Sequence, residues 1–458
     1  MFFNVIPLPI IVMATHFKED ALLDKLGGIA LNADAVSWLL NPKDFKQALL
    51  TKIASATSSI YIAALYVEDD EAGREVLQAL LDAKAQNPQL DIKILVDYHR
   101  ARRGLIGQKG DSGNYILYRK LMDEATHPFD IIGVPVKSRE FMGVLHLKGF
   151  LIDDTVIYSG ASINNIYLQQ QEKYRFDRYH VINCPELARS MRDMIKQHII
   201  SDPAVSILSQ TISNEDNPEK NDVKSFKHRL SHVRYQYAST TEGNRVTPLI
   251  GLGRKNNQLN DTIVQLVDSS SKELFICTPY FNPPTVLTRA LARHLREGKK
   301  IDIVVGDKTA NDFYIPPDQD FTTIGALPYM YEQSLRKFAK NQQWAIENGQ
   351  LNIHLWKNGI NSFHLKGISA DNRKHLITGS NLNPRAWALD LENGLLLHDE
   401  SGCWKESFIE EQQHILLHTE RLYHYSQIDT LQKYPKPVKK IMNRIRRLKA
   451  DFLLRRIL

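Results

Sequence analysis

The chain has 458 residues, 43% of them hydrophobic, which is enough to fill more than one core and excludes a disordered protein. Its three cysteines, Cys184, Cys277 and Cys403, are too few and too scattered for a disulfide framework or a CxxC zinc knuckle, so a reducing cytoplasm is the simplest setting. The net charge of +6 is unevenly placed: from Lys433 to Leu458 ten Lys and Arg stand against Asp451 alone, and the remainder is slightly acidic.

In chain order, the apolar stretch Met1 to Ala14 contains Asn4, Pro7 and Pro9, has no basic leading segment and is shorter than a bilayer span. It is read as an over-long start before Met13 or a disordered lead, within an N-terminal extension over 1–35. Next, "IASATSSIYIAALY" (Ile53 to Tyr66) reads as a helix end, a Ser-rich turn and an apolar strand ending in Tyr. It is echoed by "LVDSSSKELFICTPY" (Leu266 to Tyr280). Each is followed by a helix-period segment, Ala72 to Gln86 and Pro284 to Glu297, and then by a buried-type strand, "DIKILVD" or "IDIVVGD". Strands alternating with helices predict an α/β fold, a duplicated domain with a mixed sheet flanked by helices in each half. The halves are expected at 36–212 and 246–432, joined by a polar, partly helical linker over 213–245 and followed by a basic tail over 433–458.

The two halves share a chemical pattern. "VLHLKGFLIDD" carries His146, Lys148 and Asp153, and "SFHLKGISADN" carries His364, Lys366 and Asp371. Read as strands, these place His and Lys, two residues apart, on one face. Asp153 and Asp371 fall in acidic turns and are expected to support geometry more than chemistry. Downstream lie the small-residue turns "GASIN" (Ser162, Asn164) and "GSNLN" (Ser380, Asn381, Asn383). An acid then heads an apolar strand, Asp177 and Glu392, with Glu172 a competitor for the first position. A lone HxK is usually a surface pair or a satisfied core histidine; two copies at matching positions of a repeat call for another explanation. Transfer of a phosphodiester through a covalent enzyme intermediate needs a nucleophile, a proton donor and acceptor opposite it, and cations around the phosphoryl oxygens. Two His and two Lys brought together by pseudo-twofold packing supply these. A carboxylate on the far ring nitrogen would fix the tautomer, and Asp177 and Glu392 are the candidates. "GLG" at Gly251 lacks the third glycine of a dinucleotide fingerprint, no phosphate-binding loop or HExxH occurs, and two lysines beside the histidines would repel a metal ion. No cofactor and no metal are expected.

At these residues the chain resembles the phospholipase D superfamily, whose signature is HxK, four residues, D, then a GSxN-like turn. The turns here depart by one position in each half. Within the superfamily it is similar to the bacterial phosphatidylserine synthases in "VLHLKGFLIDDTVIYSGASINN", "GDKTANDFYIP", "GALPYMYE", "FHLKG" and "TGSNLNPRAWALDLENGLLLHD". The resemblance implies pseudo-twofold halves with the site between them, and phosphatidylserine plus CMP formed from CDP-diacylglycerol and L-serine. It implies His146 as nucleophile, His364 as base for the serine hydroxyl, and Lys148 and Lys366 on the phosphoryl oxygens. It also places Asp153, Asp371, Asn164 and Asn381 in the catalytic set, and Ser162, Ser380 and Asn383 near substrate. Arg100, Arg102 and Arg103 are candidates for the nucleotide phosphate, and Asp307, Lys308, Asn311 and Asp312 for the mouth of the site.

In the tail, Val438, Ile441, Met442, Ile445, Leu448 and Phe452 fall on one helix face, and Lys439, Lys440, Arg444, Arg446, Arg447 and Lys449 cover much of the rest. Such a helix suits an anionic membrane surface, here the inner face of the cell membrane, with self-packing as the rival reading. A nonspecific RNA contact is a further reading of the same charge. Alternatives to the synthase are a hydrolytic phospholipase D, a cardiolipin synthase, a nuclease, and a non-catalytic membrane- or RNA-binding protein.

Overall fold

A computed structural model describes residue 23 and residues 25–103, 113–137, 139, 142–210 and 218–447. In the first half the strands are β1 (Val36–Leu39), β2 (Ser59–Ala63), β3 (Asp91–Asp97), β4 (Asp130–Val134), β5 (Gly149–Ile152), β6 (Thr155–Ser159) and β7 (Tyr179–Asn183). In the second they are β8 (Arg245–Leu252), β9 (Glu273–Thr278), β10 (Lys300–Gly306), β11 (Leu351–Trp356), β12 (Gly367–Ala370), β13 (Lys374–Thr378) and β14 (Leu391–His398). The eight-stranded first sheet contains the run β4-β3-β2-β5-β6-β7-β1 and the nine-stranded second the run β11-β10-β9-β12-β13-β14-β8, the same order seven strands later, with a short antiparallel edge strand beside β4 (Ser206–Ile207) and beside β11 (Thr419–Leu422). In both, the first three strands are parallel and the rest antiparallel. The duplication inferred from the sequence is therefore a duplication of topology.

The sheets lie face to face. Tyr61, Leu95, Leu151, Val156 and Ile182 of the first share one buried cluster with Val246, Ile250, Ile377, Leu395 and Leu397 of the second. Alternate residues of the same strands, such as Ile60, Ile62 and Ile94, or Leu249, Leu376 and Leu396, point outward beneath helices. Both faces are thus covered, which is why these strands read as almost unbroken apolar runs. The helices Pro42–Ala54 and Glu71–Gln86 pack outside the first sheet, and Gln258–Ser269 and Thr285–Arg296 outside the second. The result is a helix–sheet–sheet–helix sandwich.

The acidic turns are structural, which corrects the catalytic assignment of Asp153 and Asp371. Asp153 accepts hydrogen bonds from the backbone N–H groups of Thr57, Ser58 and Ser59 and from the hydroxyls of Thr57 and Ser58. Asp371 takes the same five from Ser271, Lys272 and Glu273 and from the hydroxyls of Ser270 and Ser271. Each ties the Ser-rich turn before β2 or β9 to the far end of β5 or β12, a full strand away from the His-x-Lys segment. Their φ of 48° and 55° suits Asp at a tight turn.

The segments flanking the halves are packed as well. Ile29–Ala30 adds an edge strand to β8, and the connecting helix Lys220–Leu230 buries Val223, Phe226 and Leu230. The helix Lys436–Arg447 does not offer its whole apolar face to a membrane. Val438 and Met442 are buried with Tyr329 and Tyr434, lined by Tyr314, Phe321 and Met330. Ile441 and Ile445 are half-buried. Lys440, Arg444, Arg446 and Arg447 remain exposed, and Lys439 is half-buried with its ammonium donating to the Gln432 carbonyl. A tyrosine-lined groove formed by residues about 110 positions earlier is invisible to helical periodicity. The remaining membrane candidates, Leu448, Lys449 and Phe452, lie outside the described residues. Among the described residues no helix is long and apolar enough to cross a membrane.

Candidate active site

The His-x-Lys segments are extended but do not belong to the sheet strands expected of them. The backbone leaves β5 and β12 at Gly149 and Gly367, whose φ values of 145° and 140° suit glycine alone. Upstream of that break each segment pairs in parallel with the other half. Leu145 bridges Leu391, and the His146 N–H donates to the Leu391 carbonyl at 2.9 Å. Ser362–Phe363 pairs with Arg175–Phe176, and the His364 N–H donates to the Phe176 carbonyl at 2.8 Å. The next residue on each partner segment is the acid, Glu392 or Asp177.

This crossing makes the dyads. His146 Nδ1 lies 2.8 Å from Glu392 Oε2, and His364 Nδ1 lies 2.9 Å from Asp177 Oδ2. Each histidine is oriented by a carboxylate of the opposite half. The lysines cross in the same way. A methyl group on Gly379 would sit 2.8 Å from Lys148 Cγ, and one on Gly160 2.7 Å from Asp177 Oδ2 and 3.0 Å from Lys366 Nζ. The glycine of each small-residue turn therefore makes room for the site residues, including the other half's lysine.

Electrostatically the dyads differ. Burial and then the Lys148 charge hold the His146 imidazole neutral, and burial and then Lys366 lower His364 to about 4. A neutral ring keeps a nitrogen lone pair for attack or proton uptake. Asp177 resists burial because Lys366, 3.2 Å away, and His364 favour its charge, and it stays ionised at about 2. Glu392 touches His146 but no lysine: its Oε1 is buried without a hydrogen bond, and burial pushes it up to about 8. Burial and then Lys366 lower Lys148 to about 7, and burial also lowers Lys366.

The other sequence candidates divide. Ser162 and Ser380 are buried, and Lys148 Nζ reaches Ser162 Oγ at 3.5 Å. Asn381 Oδ1 is buried without a hydrogen bond. Asn164 and Asn383 cap turns through Oδ1, accepting the N–H of Tyr167 and of Ala386, and Asn164 Nδ2 donates to the Tyr66 hydroxyl at 3.4 Å. Arg100 is held by Glu68 at 2.7 Å over the Tyr66 ring, and Arg102 by the Tyr98 hydroxyl. Arg103 is half-buried just past the short helix Tyr98–Arg102. Asp307 caps Thr309, and Asn311 accepts the Phe313 N–H. Lys308 is paired with Glu332 and Asp429, so its charge is already answered within the fold. These three line a cavity of about 310 Å³ with Tyr331. Glu172 is exposed.

Sequence reasoning missed several residues here. The Asn393 side chain pairs with both the N–H and the carbonyl of Lys148, at 2.9 Å each, replacing a strand partner. Asp390 accepts the Val144 N–H at 3.0 Å and pairs with Arg385. The Tyr167 hydroxyl lies 3.0 Å from His364 Nδ1, and Tyr280 donates to Asp312, which pairs with Arg175 at 2.9 Å. Asn393 was signalled only by its place beside Glu392. Nothing in the sequence ties Tyr167 or Arg175 to His364.

Fold and site together define a protein of the PLD-like class, in which two halves build one centre from paired His and Lys. Comparisons agree: the family model described as "Cardiolipin synthase, PLD-like domain" matches residues 49–199 and 263–415. The chain belongs to this PLD-like family and, within it, to the family of the CDP-diacylglycerol–serine O-phosphatidyltransferases. It is 44% identical to the one from Escherichia coli K12, over 96% of this chain and 98% of that one. It is 43% identical to the one from Haemophilus influenzae, again over 96% and 98%. The crystal structure of phosphatidylserine synthase from Haemophilus influenzae superposes with a TM-score of 0.94 at 42% identity, covering 97% of this chain and all of that one.

Proposed function

We propose that the chain transfers the phosphatidyl group of CDP-diacylglycerol to L-serine, giving phosphatidylserine and CMP, through a phosphohistidine on His146. The reading rests above all on two neutral histidines, each oriented by a carboxylate from the opposite half and flanked by a buried lysine. His146 Nε2 attacks the phosphatidyl phosphorus, the bond to the CMP oxygen breaks, and CMP leaves as a phosphate that needs little protonation. His364 then takes the serine hydroxyl proton as that oxygen attacks phosphorus and the phosphorus–nitrogen bond breaks. Lys148 and Lys366 balance charge on the non-bridging oxygens, and Asp177 stabilises the imidazolium formed on His364. Two displacements give retention at phosphorus.

The substrate is insoluble, and the exposed basic face of Lys436–Arg447 supports attachment to an anionic membrane surface, on the inner face of the cell membrane, rather than insertion of an apolar helix face. A nonspecific RNA contact uses the same charges. Incubation with CDP-diacylglycerol, with and without L-serine, tests the reaction. Serine-dependent phosphatidylserine and CMP support it, phosphatidic acid alone identifies a hydrolase, and no turnover overturns it. His364→Ala is expected to impair the serine step more than formation of the phosphatidyl-enzyme; a variant that never labels with phosphatidyl substrate contradicts the division of roles.

A further inference from the structure

Beside His364 lies a polar group that the double displacement does not use. Arg175 is an interior arginine whose side chain keeps 15% of its surface exposed. Its Nε is engaged by Asp312 Oδ1 at 2.9 Å and by the Ser362 hydroxyl at 3.4 Å, and its guanidinium lies 4.7 Å over the Tyr167 ring. Asp312 is held in turn by the Tyr280 hydroxyl at 2.8 Å. The two terminal nitrogens of Arg175 have no hydrogen-bond partner among the described residues. They form the planar fork that binds a carboxylate through two parallel hydrogen bonds.

The position of this fork is informative. The Tyr167 hydroxyl under the guanidinium is 3.0 Å from His364 Nδ1, and the Tyr167 and Tyr280 rings meet the His364 ring edge-on at 5.5 and 6.2 Å. A small acceptor whose hydroxyl reaches His364 would bring a carboxyl carbon three bonds from that oxygen towards Arg175. Such an arrangement would leave Asp312 and Ser362 to fix the guanidinium plane, and Tyr167 to support it from below.

We infer that Arg175 is the receptor for the carboxylate of the acceptor amino acid, with Asp312 as the residue that positions it. The inference rests on the synthase reading above and adds the group that makes the acceptor an amino acid rather than any small alcohol. The same fork could take another anion, the phosphate of the departing nucleotide, and the test separates the two.

The experiment compares kcat/KM for L-serine with that for serinol, in which a hydroxymethyl group replaces the carboxylate, in the full-length enzyme on mixed micelles of CDP-diacylglycerol. Wild-type protein is expected to favour serine by about 100-fold, the discrimination a charged bidentate contact supplies. Arg175→Met should bring that ratio close to one, Arg175→Lys should give an intermediate ratio, and Asp312→Asn should lower it with KM for serine rising more than kcat falls. Arg175→Lys keeps the charge and the stem on Tyr167, so the assignment stands open to test even where Arg175→Met fails to fold. Equal loss with both acceptors, leaving the ratio at its wild-type value, overturns the assignment and points to a structural role. An unchanged ratio with a raised KM for CDP-diacylglycerol overturns it in favour of the nucleotide phosphate. Absence of serine turnover in the wild type instead overturns the synthase reading itself.

Discussion

Glu392→Gln removes the group that makes the two dyads unequal. For His146 to attack through Nε2, its proton must sit on Nδ1, which requires Glu392 to be an ionised acceptor; a protonated Glu392 favours the wrong tautomer. Glu392 stands at about 8 because burial opposes its charge, so activity should rise with pH towards that value. Lys148 stands at about 7 and must be protonated to balance the phosphoryl oxygens, so activity should fall above it. Between these two values only a minority of the molecules carry both ionised Glu392 and protonated Lys148. A bell-shaped profile of kcat/KM for CDP-diacylglycerol, with its apex between pH 7 and 8, follows from these values, since this parameter reports groups of the free enzyme. The two apparent values belong to the coupled site as a whole. Glu392→Gln should lower kcat/KM on the order of 10³-fold and abolish the acid limb. An acid limb that persists at the same pH in Glu392→Gln refutes the reasoning, as does a flat wild-type profile from pH 6 to 9.

Gly379→Ala places a methyl group 2.8 Å from Lys148 Cγ, and the displaced ammonium should cost about 10- to 100-fold in kcat, measured as CMP release. Asp153, held at about 2, contributes stability that is present above its unfolded value of about 3.9 and is lost as the pH falls towards 2. Asp153→Asn should therefore be less stable than wild type at pH 7 in chemical denaturation, with the gap closing on acidification, while turnover per folded molecule is retained. Replacing Lys440, Arg444 and Arg447 together by Gln should weaken partition onto anionic vesicles about 100-fold, and unchanged partition removes the membrane role of this helix. Turnover should survive EDTA, because the charge stabilisation assigned to Lys148 and Lys366 requires no added cation; loss of CMP release on chelation contradicts that assignment.

Much of the fold was legible because it rests on local regularities repeated along the chain. "DIKILVD" and "IDIVVGD" mark matching parallel strands, and the Ser-rich turns before β2 and β9 could be found because both halves carry them. The turn character of Asp153 and Asp371 was also readable, since an acid between two short apolar runs has few other settings. The His-x-Lys segments were misread as sheet strands because alternation records exposure and not the partner. Sheet strands β5 and β12 begin only at Gly149 and Gly367, so His146–Lys148 and His364–Lys366 lie just upstream of the strands the pattern assigned them to. For the tail, periodicity found the helix, but not the tyrosine groove that takes Val438 and Met442.

The sequence by itself determined the residue types of the centre, their duplication and the need for both halves, because chemistry restricts which side chains can attack and neutralise a phosphodiester. Only the tertiary structure decided who serves whom. His146 meets Glu392 across 246 positions of chain, and His364 meets Asp177 across 187. Each pairing comes from a backbone bridge between halves that no spacing within a half encodes. The inequality of the dyads was likewise beyond the sequence, because it depends on burial and on the lysine beside Asp177 that Glu392 lacks.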